Sequence, residues 1–260
     1  MKLKLYQVDA FSARVFEGNP AAVCPLDQWL DDVLLQQIAQ ENNLSETAFL
    51  VKAAEDFELR WFTPVGEVDL CGHATLAAAH VLFEHLGINK PEIVFHSNSG
   101  ELRVKKTATG LHMDFPLVNS SKIKPPSQLL SGLNGVVPKQ VLAGADYLVV
   151  LESEEQVTKL NPDFHQWLQL DLRGVIVTSI GTQADFVSRC FYPKLGVNED
   201  PVTGSAHCQL TPFWSKELKR DQFRAQQVSR RSGTLHCQLK GDRVLITGTC
   251  IDYLVGEISV

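Results

Sequence analysis

One acidic residue, Glu46, lies in a stretch of sequence that is otherwise largely apolar. Its neighbours include Leu44, Ala48 and Phe49. A carboxyl group among apolar side chains loses contact with water, which favours its neutral form and raises its pKa. Such a group can accept and return a proton near neutral pH, so we expect Glu46 to be a catalytic general acid–base. The alternative is an ordinary surface glutamate at the start of a strand, because most glutamates are exposed.

Two short loops that contain glycine precede two predicted helices. Their sequences are CGHA at residues 71–74 and TGSA at residues 203–206. The first turn of a helix leaves N–H groups without intrahelical partners and carries partial positive charge, so it can bind a carboxylate or a phosphate. We therefore expect substrate contacts from Cys71, Gly72, Thr203, Gly204 and Ser205. The alternative is helix capping, in which Ser205 or His73 only satisfies its own first turn.

Three further polar residues can assist a proton transfer. His73 exchanges a proton near neutral pH, so we expect it to act beside Glu46. Asp200 lies just before the second loop and can serve as a second acid–base or orient a polar group of a substrate. Its alternative role is a turn before Pro201. Asn19, in an Asn-Pro turn, is expected to brace the site.

The elements that position these residues come from a sequence that repeats once. Three residues recur at the same spacing in the two halves: Asp56, Arg60 and Phe62, then Asp185, Arg189 and Phe191. The two glycine loops follow them in the same order. A repeat that spans half the chain predicts two copies of a whole domain, which we place at residues 1–117 and 118–260, with the C-terminal residues able to return to the first. Clefts between domains favour ligand sites, so we expect both helix starts to face one cleft.

Each copy is predicted to be a curved, mostly antiparallel sheet around one long helix, which is an α+β fold. The aromatic strands that precede the two central helices span residues 57–63 and 186–192. The predicted helices span residues 31–41, 74–86, 160–170 and 206–218. Pro212 is expected to kink or shorten the last of them.

Equivalent positions of the two copies do not carry the same chemistry. Cys71 in the first copy corresponds to Thr203 in the second. A racemase that works with two thiols needs cysteine at both positions, so the sequence disfavours a dithiol mechanism.

The composition excludes several classes of function. The chain has 260 residues, 44% hydrophobic and 21% charged, and a formal net charge of −6. An acidic balance disfavours binding to nucleic acids, and no apolar stretch is long enough to span a membrane. Six cysteines are scattered along the chain without an export signal, so we expect free thiols, a cytoplasmic location and no metal site.

Four segments together resemble the PhzF-like (phenazine biosynthesis) family. They are GNPAAV at residues 18–23, NLSETAF at 43–49, LCGHATLA at 70–77 and EDPVTGSAH at 199–207. The resemblance spans nearly the whole chain in the same order. It implies two pseudo-symmetric domains of the diaminopimelate epimerase-like type, each a barrel-like sheet around a central helix.

The resemblance also implies an activity and a set of site residues. It implies a cofactor-free isomerase whose general acid–base is Glu46, with supporting roles for Ser45, His73, Asp200, Gly204 and Ser205. It implies a homodimer as well. Because the two helix starts can hold an anion, we expect the substrate to be a small anionic metabolite that bears a carboxylate.

Two other functions stay open at the level of sequence. One is an epimerase or racemase of a small acid, with Glu46 and either Cys71 or Asp200 as opposed acid and base. The other is a non-catalytic module that binds a metabolite or a protein partner, and the intact set of Glu46, His73 and Asp200 argues against it.

Overall fold

The computed structural model describes residues 1–260, which fold as two compact units. The first unit contains Met1–Asp114 together with Thr247–Val260, and the second contains Phe115–Ile246. The chain thus passes from one unit to the other close to the predicted division at residues 117 and 118. Its last residues pack in the first unit.

The first half of the chain contains eight strands and two helices. The strands are β1 (Lys2–Ala10), β2 (Asn19–Leu26), β3 (Glu46–Ala53), β4 (Asp56–Thr63), β5 (Gly66–Val68), β6 (Glu92–Ser97), β7 (Gly100–Thr107) and β8 (Gly110–Pro116). The helices are α1 (Asp32–Asn42) and α2 (Gly72–Glu84).

The second half contains ten strands, four helices and one 3-10 turn at Pro193–Leu195. The strands are β9 (Ser121–Lys122), β10 (Gln140–Ala143), β11 (Tyr147–Val150), β12 (Val175–Ile180), β13 (Phe186–Tyr192), β14 (Val197–Asp200), β15 (Gln222–Gln227), β16 (Gly233–Lys240), β17 (Arg243–Gly248) and β18 (Cys250–Ser259). The helices are α3 (Ser127–Gly132), α4 (Glu154–Lys159), α5 (Phe164–Trp167) and α6 (Gly204–Leu218).

The two units repeat the same order of strand pairs. In the first, β2 runs parallel to β3, β3 antiparallel to β4, and β4 antiparallel to β5 but parallel to β6. In the second, β11, β12, β13, β14 and β15 pair in the same sequence of orientations. Antiparallel pairs dominate both sheets, and each sheet packs on its own long helix, so the predicted α+β fold class is confirmed.

One edge strand of the first unit comes from the end of the second half of the sequence. Strand β18 follows β17 along the chain but pairs with β1, in the first unit. This pairing is the reason that the C-terminal residues belong with the N-terminal ones.

The central helices α2 and α6 bury most of their residues. Both begin at the glycine of their loop, two residues before the predicted starts at residues 74 and 206. His73 and Ser205 therefore lie in the first helical turn. No helix of the chain has both the length and the apolar character needed to cross a membrane.

The prediction that Pro212 kinks or shortens the second central helix is wrong as regards its length, because α6 runs on to Leu218. Proline has no N–H to donate to the carbonyl four residues earlier. That carbonyl belongs to Cys208, and it accepts a hydrogen bond from the backbone N–H of Val118 at 2.9 Å. The lost helical hydrogen bond is thus replaced by one from a neighbouring segment.

The predicted helix at residues 160–170 is also wrong. Two short helices stand there, α4 and α5, each capped by a side chain, from Ser153 and Asp163 respectively. Pro162 lies between them and disfavours helical backbone at the residue before it.

An arginine–glutamate pair holds the loop before each central helix. Arg60 on β4 donates through Nε and Nη2 to Glu67, at 2.7 Å for both bonds. The equivalent Arg189 on β13 donates to Glu199 at 2.7 and 2.9 Å. Arg189 also donates through Nη1 to the backbone carbonyls of residues 157, 158 and 160. The repeat therefore preserves an interaction that fixes where each helix begins.

Replacing these two arginines should have unequal effects. Arg189→Met is expected to lower the free energy of unfolding by about 3 kcal/mol, because it leaves a mostly buried glutamate and three carbonyls without their donor. Arg60→Met, whose arginine contacts more exposed acids, is expected to cost about 1 kcal/mol. Urea unfolding followed by circular dichroism measures both values. Equal losses would contradict this account.

Candidate active site

The carboxylate of Glu46 faces the imidazole of His73. Glu46 is the first residue of β3, where strand pairing with β2 sets it beside Ala21. His73 lies in the first turn of α2. Glu46 Oε2 and His73 Nε2 are 3.0 Å apart, and the side chains are 18% and 6% exposed. The sheet and the helix thus bring together two residues that the sequence separates.

Two other predicted residues contact the imidazole, and a third orients one of them. Asn19 Nδ2 and Cys71 Sγ lie 3.2 and 3.5 Å from His73 Nδ1. Ser45 Oγ donates to Asn19 Oδ1 at 3.2 Å, so the amide of Asn19 is itself oriented. A neutral imidazole with its proton on Nε2 accepts from Asn19 at Nδ1. A protonated imidazole carries hydrogen on both ring nitrogens, and its Nδ1–H then faces the sulfur of Cys71.

Opposing effects set the pKa of His73. Burial lowers it, but the adjoining Cys71 and Glu46 groups raise it more, so the pKa lies well above its ordinary value. Burial and the charge of Glu46 in turn raise the pKa of the Cys71 thiol, which is therefore neutral near pH 7. The carboxylate of Glu46 is thus the anion that keeps the imidazole protonated.

The predicted residues of the second unit form a separate hydrogen-bonded group. Thr203 Oγ1 donates to Asp200 Oδ2 at 2.5 Å. Gln227 clamps both residues: its Nε2 donates to the backbone carbonyl of Asp200 at 2.7 Å, and its Oε1 accepts from the backbone N–H of Thr203 at 2.9 Å. Gln227 was not predicted, since nothing in its strand sequence marks it.

Neither central helix uses the capping role that the sequence left open. The residues before the first turns, Cys71 and Thr203, make no side-chain capping bond. His73 turns to Glu46, and Ser205 Oγ accepts a hydrogen bond from Arg173 at 3.3 Å. Gly72 and Gly204, which were predicted in the loops before the helices, are the first residues of α2 and α6. Capping by His73 or Ser205 is therefore wrong.

His207, in the second turn from the start of α6, is a structural residue. Its Nδ1 lies 2.8 Å from the carbonyl of Thr203, and its ring stacks on Phe186. Burial lowers the pKa of His207 to about 4, so it stays neutral and does not exchange protons near pH 7.

Strand pairing corrects one detail of the sequence repeat. The repeat of the sequence sets Glu46 opposite Val175. In the structure, Phe49 pairs with Arg60 and Val177 pairs with Arg189, which makes Phe49 and Val177 equivalent. Glu46 therefore corresponds to Gly174, one residue earlier, and the second unit has no side chain at that position.

Two sets of side chains have the composition of a metal site. One is Glu46, Cys71 and His73, and the other is His80, His85 and Asp252, with the ligand atoms of each set within 4.8 Å of one another. In the first set, Cys71 Sγ and Glu46 Oε2 both adjoin the imidazole of His73, at Nδ1 and Nε2 respectively. In the second set, the two imidazoles hydrogen-bond to opposite oxygens of Asp252. The expectation of no metal stays a prediction.

Comparisons with known proteins agree on one family over the full length of the chain. A family model described as phenazine biosynthesis-like protein (PhzC-PhzF) matches residues 8–255. A protein of Pseudomonas aeruginosa named as an uncharacterized isomerase is 50% identical, and the match covers 100% of both chains. The crystal structure of a PhzF-family phenazine biosynthesis protein from Enterococcus faecalis is 47% identical, covers 100% of both chains and has a TM-score of 0.97.

A more distant solved structure shows the fold alone. A hydroxyproline epimerase from Agrobacterium vitis, with bound trans-4-hydroxy-L-proline, is 11% identical and has a TM-score of 0.61. The match covers 99% of this chain and 92% of that chain.

The His73–Glu46 pair predicts a specific pH dependence of stability. A folded-state pKa above the unfolded value of about 6.5 means that the contribution of His73 is fully present below that pH and is lost as pH rises through the folded pKa. The difference in unfolding free energy between the wild type and His73→Gln should therefore shrink as pH rises above neutral. Urea unfolding across this range measures it, with the exposed His236→Gln as the control. A difference that grows with pH would contradict the ion pair.

Proposed function

The chain belongs to the phenazine biosynthesis-like (PhzC-PhzF) family, whose members include the isomerases it resembles, and it is an isomerase of this family. On this premise we propose that it moves a proton between carbon atoms of a small metabolite that bears a carboxylate, with Glu46 as the general acid–base. The observation that carries the proposal is the carboxylate of Glu46, held 3.0 Å from the buried imidazole of His73 and still 18% exposed.

The proposed reaction has two proton-transfer steps. Glu46 removes a proton from a carbon next to a conjugated system, and the electron pair of the broken C–H bond enters that system. The protonated Glu46 then returns the proton to a different carbon, the double bonds shift, and the carboxylate is regenerated. The proton that leaves one carbon returns to another, and the absence of a cofactor stays a prediction.

His73 supports this cycle as a charged neighbour. A protonated imidazole next to Glu46 attracts the carboxylate and holds it in place. Asn19 and Ser45 fix the ring orientation through their hydrogen bonds. We assign proton transfer to Glu46 and positioning to His73, because the side chain of His73 is almost fully buried whereas that of Glu46 remains reachable.

The roles of the remaining predicted site residues rest on the sequence alone. We propose that Asp200 orients a polar substituent of the substrate and that Gly72, Gly204 and Ser205 contribute donors for its carboxylate. The arrangement of both helix starts around one cleft stays a prediction from the duplicated sequence. The homodimer and the cytoplasmic location also stay predictions.

The geometry favours isomerisation over epimerisation by Glu46 and Cys71. An epimerase needs an acid and a base on opposite faces of one carbon atom. The ligand atoms of Glu46 and Cys71 lie within 4.8 Å of each other and both adjoin His73, so they approach a bound molecule from the same side. The raised pKa of Cys71 also keeps its thiol neutral and a poor base.

The experiment that tests this function measures hydrogen exchange at carbon. Small unsaturated carboxylic acids are incubated with the enzyme in heavy water, and mass spectrometry follows uptake of deuterium and formation of a double-bond isomer. For an acid that the wild type converts, Glu46→Gln should reduce the rate at least about 100-fold, because it removes the general base. Glu101→Gln, an exposed acid away from the site, is the matched control.

Several outcomes would overturn the proposal. Full turnover by Glu46→Gln would show that Glu46 is not the general acid–base. Inversion at one stereocentre without a shift of a double bond would show that the enzyme is an epimerase. Loss of activity in EDTA that added metal restores would contradict the cofactor-free mechanism.

A further inference from the structure

Two histidines and an aspartate meet in the first unit, away from the start of α2. Nε2 of His80 is 3.1 Å from Oδ1 of Asp252, and Nε2 of His85 is 3.0 Å from Oδ2 of the same carboxylate. His80 lies within α2, His85 follows its last residue, and Asp252 is on β18. The three side chains offer ligand atoms that all lie within 4.8 Å of one another.

These distances are close to those around a metal ion. Two ligand atoms that are each about 2.0–2.1 Å from a tetrahedral zinc ion lie about 3.3 Å apart. The two distances between histidine and aspartate, 3.1 and 3.0 Å, are already near this value. The ligand atoms of the two histidines need to approach each other by no more than about 1.5 Å, which small rotations of the side chains provide.

Packing around the cluster sets the direction of two of its side chains. The ring of Tyr6 lies 4.8 Å from the imidazole of His85, with the two planes 37° apart, so one face of the imidazole is held. Strand β18 has a β-bulge beside Asp252, because its pairing with β1 skips Tyr253. A bulge redirects the neighbouring side chains and is common next to functional sites. The bulge thus lies where the direction of the carboxylate matters.

The charge of Asp252 is not neutralised by any basic side chain. No lysine or arginine forms an ion pair with it, and the carboxylate faces the two imidazoles alone. Glu84, on the same helix as His80, is bound by Lys106 at 2.7 Å. The cluster therefore has one carboxylate charge and two imidazoles, with no fixed cation beside it to repel a metal ion.

We propose that His80, His85 and Asp252 bind one divalent transition-metal ion of the zinc type. Two imidazole nitrogens and one carboxylate oxygen suit zinc and its neighbours, whereas magnesium and calcium prefer oxygen ligands alone. No hydrogen bond to the protein fixes Nδ1 of either ring, so Nδ1 can carry the proton while the lone pair of Nε2 binds the ion. The side chains are 14%, 24% and 34% exposed, which lets water complete the coordination.

This proposal departs from the expectation of no metal site. Asp252 is far from both histidines in the sequence, so the three form no ligand motif that spacing can reveal. The same contacts can also serve as two hydrogen bonds between histidine and aspartate without any ion. That alternative is the one the experiment must exclude.

The role of the ion is to fasten the C-terminal strand β18 to the central helix. His80 and His85 follow His73 by seven and twelve residues, which is about 10 and 18 Å along the helix axis. An ion at this distance does not contact Glu46, so turnover does not require it and the site does not rest on the proposed function. An ion that binds only the folded protein raises its unfolding temperature.

The test is a calorimetric titration of zinc chloride into untagged protein that has been treated with EDTA and dialysed. The wild type should bind one equivalent of zinc, and magnesium chloride should give no binding. His85→Gln and Asp252→Asn should each weaken zinc binding at least about tenfold, since even the loss of a group that only hydrogen-bonds to a metal ligand costs about 10–100-fold. The Asp252→Asn side chain still has an oxygen that accepts hydrogen bonds, so this variant separates the ion from the hydrogen-bonded alternative.

Two further variants show where the zinc binds. His96→Gln is the matched control, because His96 pairs with a single aspartate, Asp56, at 3.4 Å in the same unit. His73→Gln removes a ligand from the other possible set, with Glu46 and Cys71. Both should bind zinc as the wild type does. Circular dichroism verifies that every variant is folded, and thermal unfolding should show that zinc stabilises the wild type but not His85→Gln.

Four results would overturn the site. They are a wild type that binds no zinc, folded His85→Gln and Asp252→Asn that bind zinc as tightly as the wild type, a loss in His73→Gln or His96→Gln as large as that in His85→Gln, and magnesium that binds as tightly as zinc. Zinc binding that depends on His85, together with full turnover by Glu46→Gln, would leave the site and remove the proposed function. Inactive Glu46→Gln with no zinc binding to the wild type would do the reverse.

Discussion

The ion pair between Glu46 and His73 is the interaction on which the candidate site depends. A buried imidazole tends to lose its proton, and an adjacent anion is needed to keep it charged. Glu46 supplies that anion, which explains why the pKa of His73 is raised despite its burial. Because His73 turns toward β3 in forming this pair, it does not cap α2. The first turn of the helix is left with N–H groups that no side chain satisfies.

The two members of the pair, Glu46 and His73, differ in how exposed their side chains are. His73 is buried, Asn19 and Cys71 contact its Nδ1, and Ser45 orients the amide of Asn19. The side chain of Glu46 is 18% exposed, against 6% for that of His73. This difference suits the proposed roles, in which Glu46 exchanges the proton and His73 is its buried, charged partner.

The second unit has the same order of strands and the same long helix as the first, but different side chains at the start of that helix. The arginine–glutamate pairs before the two central helices match, as do the strand orders and the glycines that begin the helices. What differs is the side chains around the helix start: a carboxylate and an imidazole in one unit, a guanidinium and hydroxyls in the other. The two units have equivalent positions, and Glu46 in the first corresponds to Gly174 in the second, so only the first has a carboxylate there.

The sequence alone determined the parts of this protein that local spacing encodes. The repeated strand, loop and helix, the family, and the group of Asn19, Ser45, Glu46, Cys71 and His73 could all be predicted, since a helix start and a glycine leave a signature within a few residues. Other features could not be predicted: the pairing of β18 with β1, the shift of one residue that sets Glu46 opposite Gly174, and the partners Arg173, Asp146 and Gln227. Those features depend on strand pairing between distant segments and on which side chain fills a space left by another. Such choices are settled by packing over the whole unit, and no local pattern of residues records them.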